Sequence, residues 1–174
     1  MRARTLLVLV SLLLPFPVKA QEDARTEVFA GYSYLGYYIY PAYTGPWTRK
    51  TYNGFESTAA FHILPHVSAE ADLGLQGSIQ TFMGGGRVSG GSDKMTLYGH
   101  ALFGALRLSA GQSGGDTTKA MAFGGGANLW FARRFGARII QLDYIRNNNP
   151  LAGYFAHPVQ HAHYRVSTGV VFRF

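Results

Sequence analysis

The chain contains no cysteine. A domain of this size without disulfides must therefore be held together by burial and backbone pairing alone. No stretch approaches ~18 consecutive apolar residues, which excludes a transmembrane helix. Acidic residues are few, 9 against 16 Lys and Arg, yet the basic ones are scattered singly and form no patch or stripe of the kind nucleic acid requires. The glycine triplets Gly84-Gly85-Gly86 and Gly124-Gly125-Gly126 are not followed by Gly-Lys-Ser/Thr. They lie inside alternating segments, where glycine marks close packing or a bend and not a phosphate loop.

At the N-terminus, Arg2 and Arg4 precede an apolar run from Leu6 to Phe16, followed by Val18-Lys19-Ala20. This pattern predicts a secretory signal peptide over residues 1–20, cleaved after Ala20. Losing it removes three basic residues and lowers the formal charge from +7 to +4. Residues 21–26 read as a short polar leader, and residues 27–174 as one domain.

The C-terminus carries the strongest signal. Tyr164, Val166, Thr168, Val170, Phe172 and Phe174 fall on one face of a strand, with His163, Arg165, Ser167, Gly169 and Arg173 on the other. One greasy face and one face bearing arginines suit a strand with lipid outside and a polar lumen inside. The same alternation recurs upstream. Eight strands are predicted, roughly at 27–35, 54–63, 67–77, 81–89, 94–108, 119–131, 136–147 and 161–174. Tight turns at 64–66, 90–93 and 132–135 alternate with long loops at 36–53, 109–118 and 148–160. Such asymmetry is expected of a barrel with short periplasmic turns and longer outer loops; the short connection at 78–80 departs from it. The mean hydropathy of +0.00 is that of a chain whose lipid-facing and lumen-facing positions cancel. Its 22 Gly, 11 Tyr and 12 Phe supply curvature and interfacial aromatics.

Phase follows strand by strand. Val67, Ala69, Ala71, Leu73 and Leu75 face out, and Ser68, Glu70, Asp72, Gly74 and Gln76 face in. Met121, Phe123, Ala127, Leu129 and Phe131 face out, as do Ile140, Leu142 and Tyr144, with Gln141 and Asp143 inward. The fifth strand is ambiguous: His100 shares a face with Tyr98, Leu102 and Leu106, and Arg107 sits on the other.

Gly31-Tyr32-Ser33-Tyr34, Tyr98 to Gly104, Gln141-Leu142-Asp143-Tyr144 and the terminal Ser167, Gly169, Phe172 and Phe174 resemble the small eight-stranded outer-membrane barrels, the OmpA-like transmembrane domain. The resemblance covers residues 27–174. It implies an all-β, eight-stranded antiparallel up-and-down barrel in the bacterial outer membrane, without the peptidoglycan-binding domain that larger relatives carry after it. It also implies that Ser167, Gly169, Phe172 and Phe174 act as a signal to the barrel-assembly machinery. The expected partners are outer-membrane lipid and lipopolysaccharide, with no nucleic acid, and the protein is expected to be a monomer.

An eight-stranded barrel is just wide enough for side chains to fill. Glu56, Glu70, Asp72, Arg87, Asp143, Arg165 and Arg173 are therefore expected to form an inward ion-pair network, because unpaired lumen charges cost several kcal/mol each. Three further groups have the composition of a site. His157, His161 and His163 could approach a zinc or copper site, but no fourth ligand is evident in sequence and no metal is expected. His66-Val67-Ser68 resembles the His-x-Ser pair of barrel lipid A deacylases. It follows a periplasmic turn, on the wrong side for that substrate, and has no carboxylate to orient the histidine. The outer loop holding Tyr38, Tyr40, Trp47, Arg49 and Lys50 combines aromatics with a basic pair, a composition able to bind sugars, lipopolysaccharide phosphates or a protein. No catalytic residue and no cofactor is expected. The function expected is structural or interactive (envelope integrity, adhesion or lipopolysaccharide contact), with a narrow small-solute or ion channel and a lipid-modifying barrel enzyme as the alternatives.

Overall fold

A computed structural model describes residues 26–39, 48–109, 115–148 and 160–174. The elements are β1 (Thr26–Ile39), β2 (Thr48–Leu64), β3 (Val67–Gln76), β4 (Ile79–Gly91), β5 (Met95–Ser109), β6 (Gly115–Trp130), β7 (Phe135–Asn148) and β8 (Gln160–Arg173). Each strand pairs antiparallel with its neighbour in sequence, and β8 pairs back on β1 to close the barrel. Closure gives every strand two neighbours, so backbone N–H and C=O groups are paired without help from water. At the seam Val28 lies opposite Phe172 and Gly36 opposite Tyr164. The first and last described residues of the wall lock there, Phe174 N–H donating to Thr26 O at 2.9 Å.

Both ends of the barrel wall and the connections after β2, β4 and β6 lie at one rim, called lower here; the C-terminal ends of β1, β3, β5 and β7 mark the opposite, upper rim. The β3–β4 connection is a two-residue hairpin, Gly77-Ser78. Gly77 has φ 58°, the left-handed conformation that tight hairpins require and glycine takes without a Cβ penalty. The upper rim is thus low at β3–β4 and higher elsewhere.

Strands run further than the sequence indicated. β1 continues to Ile39, β2 begins at Thr48 and β6 at Gly115, so most of the expected loop 36–53 is a paired hairpin, with Tyr37 opposite Lys50 and Tyr38 opposite Arg49. The cause is that ladder pairing does not depend on an apolar outer face. A strand of ~9–11 residues crosses a bilayer, whereas β2 has 17, and Tyr- and Thr-rich sequence keeps pairing above it.

Outward positions are apolar over most of the wall, with Phe61, Phe82, Leu97, Phe103, Leu142 and Phe172 all substantially exposed. The interior is layered. Leu35, Ile79, Met83, Leu102, Leu106, Ala120, Ala122 and Ile145 fill the upper part, and Phe29, Trp130 and Val171 cluster in the lower part. Charged and amide side chains occupy the space between and around them.

Candidate functional site

The centre of the lumen is built around Arg165 of β8, which is 1% exposed. Its guanidinium donates to both oxygens of Asp72, Nη1 to Oδ1 at 2.9 Å and Nη2 to Oδ2 at 2.8 Å, the bidentate geometry that makes such pairs strong. Its Nε donates to Asp143 Oδ2 at 2.8 Å, and Glu56 Oε2 lies 3.3 Å from the same nitrogen. Three carboxylates from β2, β3 and β7 therefore converge on one cation.

His100 of β5 bridges this centre to the next. Its Nε2 lies 2.9 Å from Asp143 Oδ1 and its Nδ1 3.0 Å from Glu70 Oε1. Both ring nitrogens can donate at once only in the doubly protonated imidazole. Arg87 of β4 continues the chain, donating to Glu27 Oε1 at 2.7 Å and lying 3.8 Å from Glu70 Oε2. Its guanidinium stacks 3.9 Å over the Tyr98 ring. Glu27 also accepts from Asn128 at 2.9 Å and is 3.5 Å from Arg138. Arg138 in turn lies 4.0 Å over the Phe29 ring and donates to Gln141 Oε1 at 2.5 Å. Gln141 closes the circuit through Nε2, which reaches Glu56 at 2.7 Å and Asp143 at 2.8 Å. The result is one continuous polar network contributed by all eight strands, Ser167 bonding to Glu56 and Thr81 to Arg165 within it.

Of the seven charged residues expected in the lumen, the structure joins Glu56, Glu70, Asp72, Arg87, Asp143 and Arg165 in this network. Arg173 stands apart: it stacks 4.0 Å over Trp130 at the lower rim and donates to Arg133 O at 2.5 Å. As the last residue of β8, it has the backbone of the lower turn within closer reach than the central carboxylates.

Glu27, His100, Arg138 and Gln141 were not named as members by sequence reasoning. Glu27 stands at the first turn of alternation, where one residue of uncertainty in the boundary hides it. Arg138 falls, by strict alternation, on the outward face with Ile140. A β-bulge shifts the β7–β8 register between Arg138 and Gln141, and an extra residue in one strand flips the phase beyond it. Ile139 and Ile140 then both face out, 54% and 42% exposed. Two adjacent isoleucines where polar and apolar residues otherwise alternate were the available signal. His100 faces inward, and Arg107 outward.

A glycine makes room at the centre. A Cβ on Gly124 would stand 2.0 Å from Asp143 Oδ1 and 2.4 Å from Leu142 O, so the carboxylate lies where a side chain of β6 would be. This is the role of the first glycine of the second triplet.

The four terminal residues read as an assembly signal occupy both faces of β8. Ser167 points into the network, Gly169 is paired with Gly31 across the seam, and Phe172 stacks against Phe135 at 5.1 Å. Phe174 is 64% exposed at the lower rim. In the aromatic surface loop, Tyr40 and Trp47 and the side chains of Tyr38 and Arg49 lie outside the described residues; Lys50 is exposed at the upper rim. Of the histidine group, His157 and the side chain of His161 lie outside them also, and His163 Nε2 is 2.8 Å from Asn147 Oδ1. His66 Nδ1 is 3.1 Å from the Ser89 carbonyl, and Ser68 is buried in the lumen.

No protein-family model and no curated protein sequence matches this chain. Solved structures do. Neisserial surface protein A aligns with a TM-score of 0.58 at 11% identity, covering 88% of this chain and 100% of that one. The N-terminal β-barrel domain of Pseudomonas aeruginosa OprF aligns at 0.56 and 11% identity, covering 87% and 98%. Outer membrane protein H (OprH) of P. aeruginosa, solved in micelles, aligns at 0.51 and 14% identity, covering 85% and 99%. These three structural neighbours are bacterial outer-membrane proteins, and the fold of this chain is that of the small eight-stranded outer-membrane β-barrel.

Proposed function

We propose that this outer-membrane barrel is a sealed structural post. Its wall and upper connections make contact with lipopolysaccharide or with a surface, serving envelope integrity or adhesion, and no solute passes through its centre. The observation that carries this reading is the filled lumen. A charge network anchored by Arg165 spans the middle, and apolar clusters lie above and below it. Charges in so narrow a space are stable only when paired, and breaking the pairs to admit a solute costs several kcal/mol. In this reading the lower rim, with the short turns after β2, β4 and β6 and both ends of the wall, faces the periplasm, and the upper rim faces outside.

Planar-bilayer recordings of the refolded protein should give no stable open state, or only small and rare openings. A large steady conductance would remove the sealed-post reading in favour of the narrow channel.

The terminal strand is proposed to be read during assembly through Phe172 and Phe174. In outer-membrane fractions the wild type should resist carbonate extraction and run faster on a denaturing gel before heating than after. Phe174→Ala should reduce the folded, fast-running band several-fold, more than loss of one exposed ring accounts for, because residue 174 contributes ~1.5–3 kcal/mol at most by burial. Recovery of the wild type as a soluble periplasmic protein would overturn the location, and normal assembly of Phe174→Ala would overturn the role of the tail.

A further inference from the structure

Charge is sorted by face in this barrel. Among residues whose side chains are described, Glu27, Glu56, Glu70, Asp72 and Asp143 are buried in the lumen, and Asp93 lies in a lower-rim turn between β4 and β5. None of these carboxylates points outward from the wall. At the upper rim the outward charges described are cationic: Arg107, Lys119 and Arg146, each exposed.

These three form a row. Arg107 of β5 is opposite Thr117 of β6, and Lys119 is the next outward residue along β6, opposite Ala105. Arg146 of β7 is opposite Met121, the next outward residue again. Arg107 and Lys119 are thus diagonal neighbours, as are Lys119 and Arg146, and each step across such a diagonal is about 7 Å. Three cations on adjacent strands would repel one another and gain nothing from this spacing by themselves. Among the described residues none of the three side chains makes a hydrogen bond or ion pair.

Immediately below, on the same outward face, lies an aromatic girdle. Phe103 and Phe123 meet edge to face at 6.3 Å, and Tyr144 and Tyr164 at 5.6 Å. Rings of this kind mark the depth at which acyl chains give way to headgroups. The cations therefore stand at headgroup depth, on the lipid side of the wall, where the neighbouring molecules are lipids and the charge they favour is negative.

We propose that Arg107, Lys119 and Arg146 form a docking site on the outside of the barrel for an outer-leaflet glycolipid bearing more than one phosphate. The phosphates lie along the three cations and the acyl chains against Phe103, Phe123 and Tyr144 below. A row about two diagonal steps long fits two phosphates on one headgroup better than a single one, and guanidinium groups at its ends offer bidentate contact to phosphate oxygens. The proposal rests on the outer-membrane reading and assigns the lipid contact to the wall over β5–β7, apart from the loops.

The test uses the refolded full barrel in phosphatidylcholine nanodiscs containing bisphosphorylated lipid A, monophosphorylated lipid A or neither. Lipid retention is read by native mass spectrometry after release. The wild type should retain the bisphosphorylated lipid most strongly. Arg107→Gln/Lys119→Gln/Arg146→Gln should weaken retention on the order of a hundredfold, three surface cations each acting on a phosphate at close range. Lys94→Gln/Arg133→Gln/Arg134→Gln, which removes the same charge from the lower rim, should leave it within about twofold, and millimolar inorganic phosphate should not compete. Equal retention by the two triple variants, or retention insensitive to phosphate count, would overturn the docking site. Both variants alter exposed rim residues, and a heat-modifiable band verifies that each barrel is folded. If the wild type inserts normally and shows no lipid preference, the docking site fails and the membrane reading stands. If it does not insert at all, the membrane reading itself fails.

Discussion

Arg165→Met should lower the free energy of unfolding by about 3–5 kcal/mol, the range for removing one partner from a buried charge cluster. The guanidinium holds Asp72 bidentately, Asp143 at 2.8 Å and Glu56 at 3.3 Å. Without it three buried carboxylates repel one another with no counter-charge beyond His100. Arg165→Lys keeps the charge but not the planar fork, so its loss should be intermediate. Pairing Arg165→Met with Asp72→Leu should recover part of the loss, since replacing both members with apolar groups costs less than orphaning one. Urea titration of the barrel refolded in lipid vesicles, with folded protein read from the fast-running band, gives these differences. A change below ~1 kcal/mol for Arg165→Met would mean that the carboxylates are hydrated from the rim, and the sealed lumen would be wrong.

The second large effect is expected at Gly124. Gly124→Val puts a Cβ 2.0 Å from Asp143 Oδ1 and 2.4 Å from Leu142 O. Either β6 and β7 separate or Asp143 leaves both His100 and Arg165. Overpacking alone costs about 1–3 kcal/mol, and the broken network adds to it, so a loss of about 3 kcal/mol or more is expected in the same assay. Gly86→Val is the matched control. An added Cβ there meets nothing within 4 Å, and valine suits a strand better than glycine, so its effect should stay within about 0.5 kcal/mol of zero. Similar losses in the two variants would show that glycine matters for barrel curvature in general and not for seating Asp143.

Much of this arrangement is written in the alternation of side chains. Ser68, Glu70 and Asp72 stand at every second position of β3, and Ala69, Ala71 and Leu73 stand between them. A period of two fixes which set faces a polar interior once the exterior is lipid. Arg165 and Ser167 in β8 are legible for the same reason. Alternation fails where a side chain serves the interior without being polar. Leu102 and Leu106 belong to the upper apolar layer inside the barrel, so β5 carries apolar residues on both faces and His100 has no phase of its own. Its inward position depends on Glu70 from β3 and Asp143 from β7, residues 30 and 43 positions away along the chain.

The eight strands and, outside β5 and the start of β7, their greasy and charged faces follow from the sequence alone, because these depend on neighbours one and two residues apart. Tertiary structure decided which charges meet. Arg138 enters the lumen through a bulge that two isoleucines only hint at, and Arg173, with the same apparent phase as Arg165, stays at the rim against Trp130. Closing the barrel brings β2, β3, β7 and β8 around one guanidinium, and register between distant strands sets the partners of each charge. That register comes from closure of the whole sheet, which no local pattern encodes.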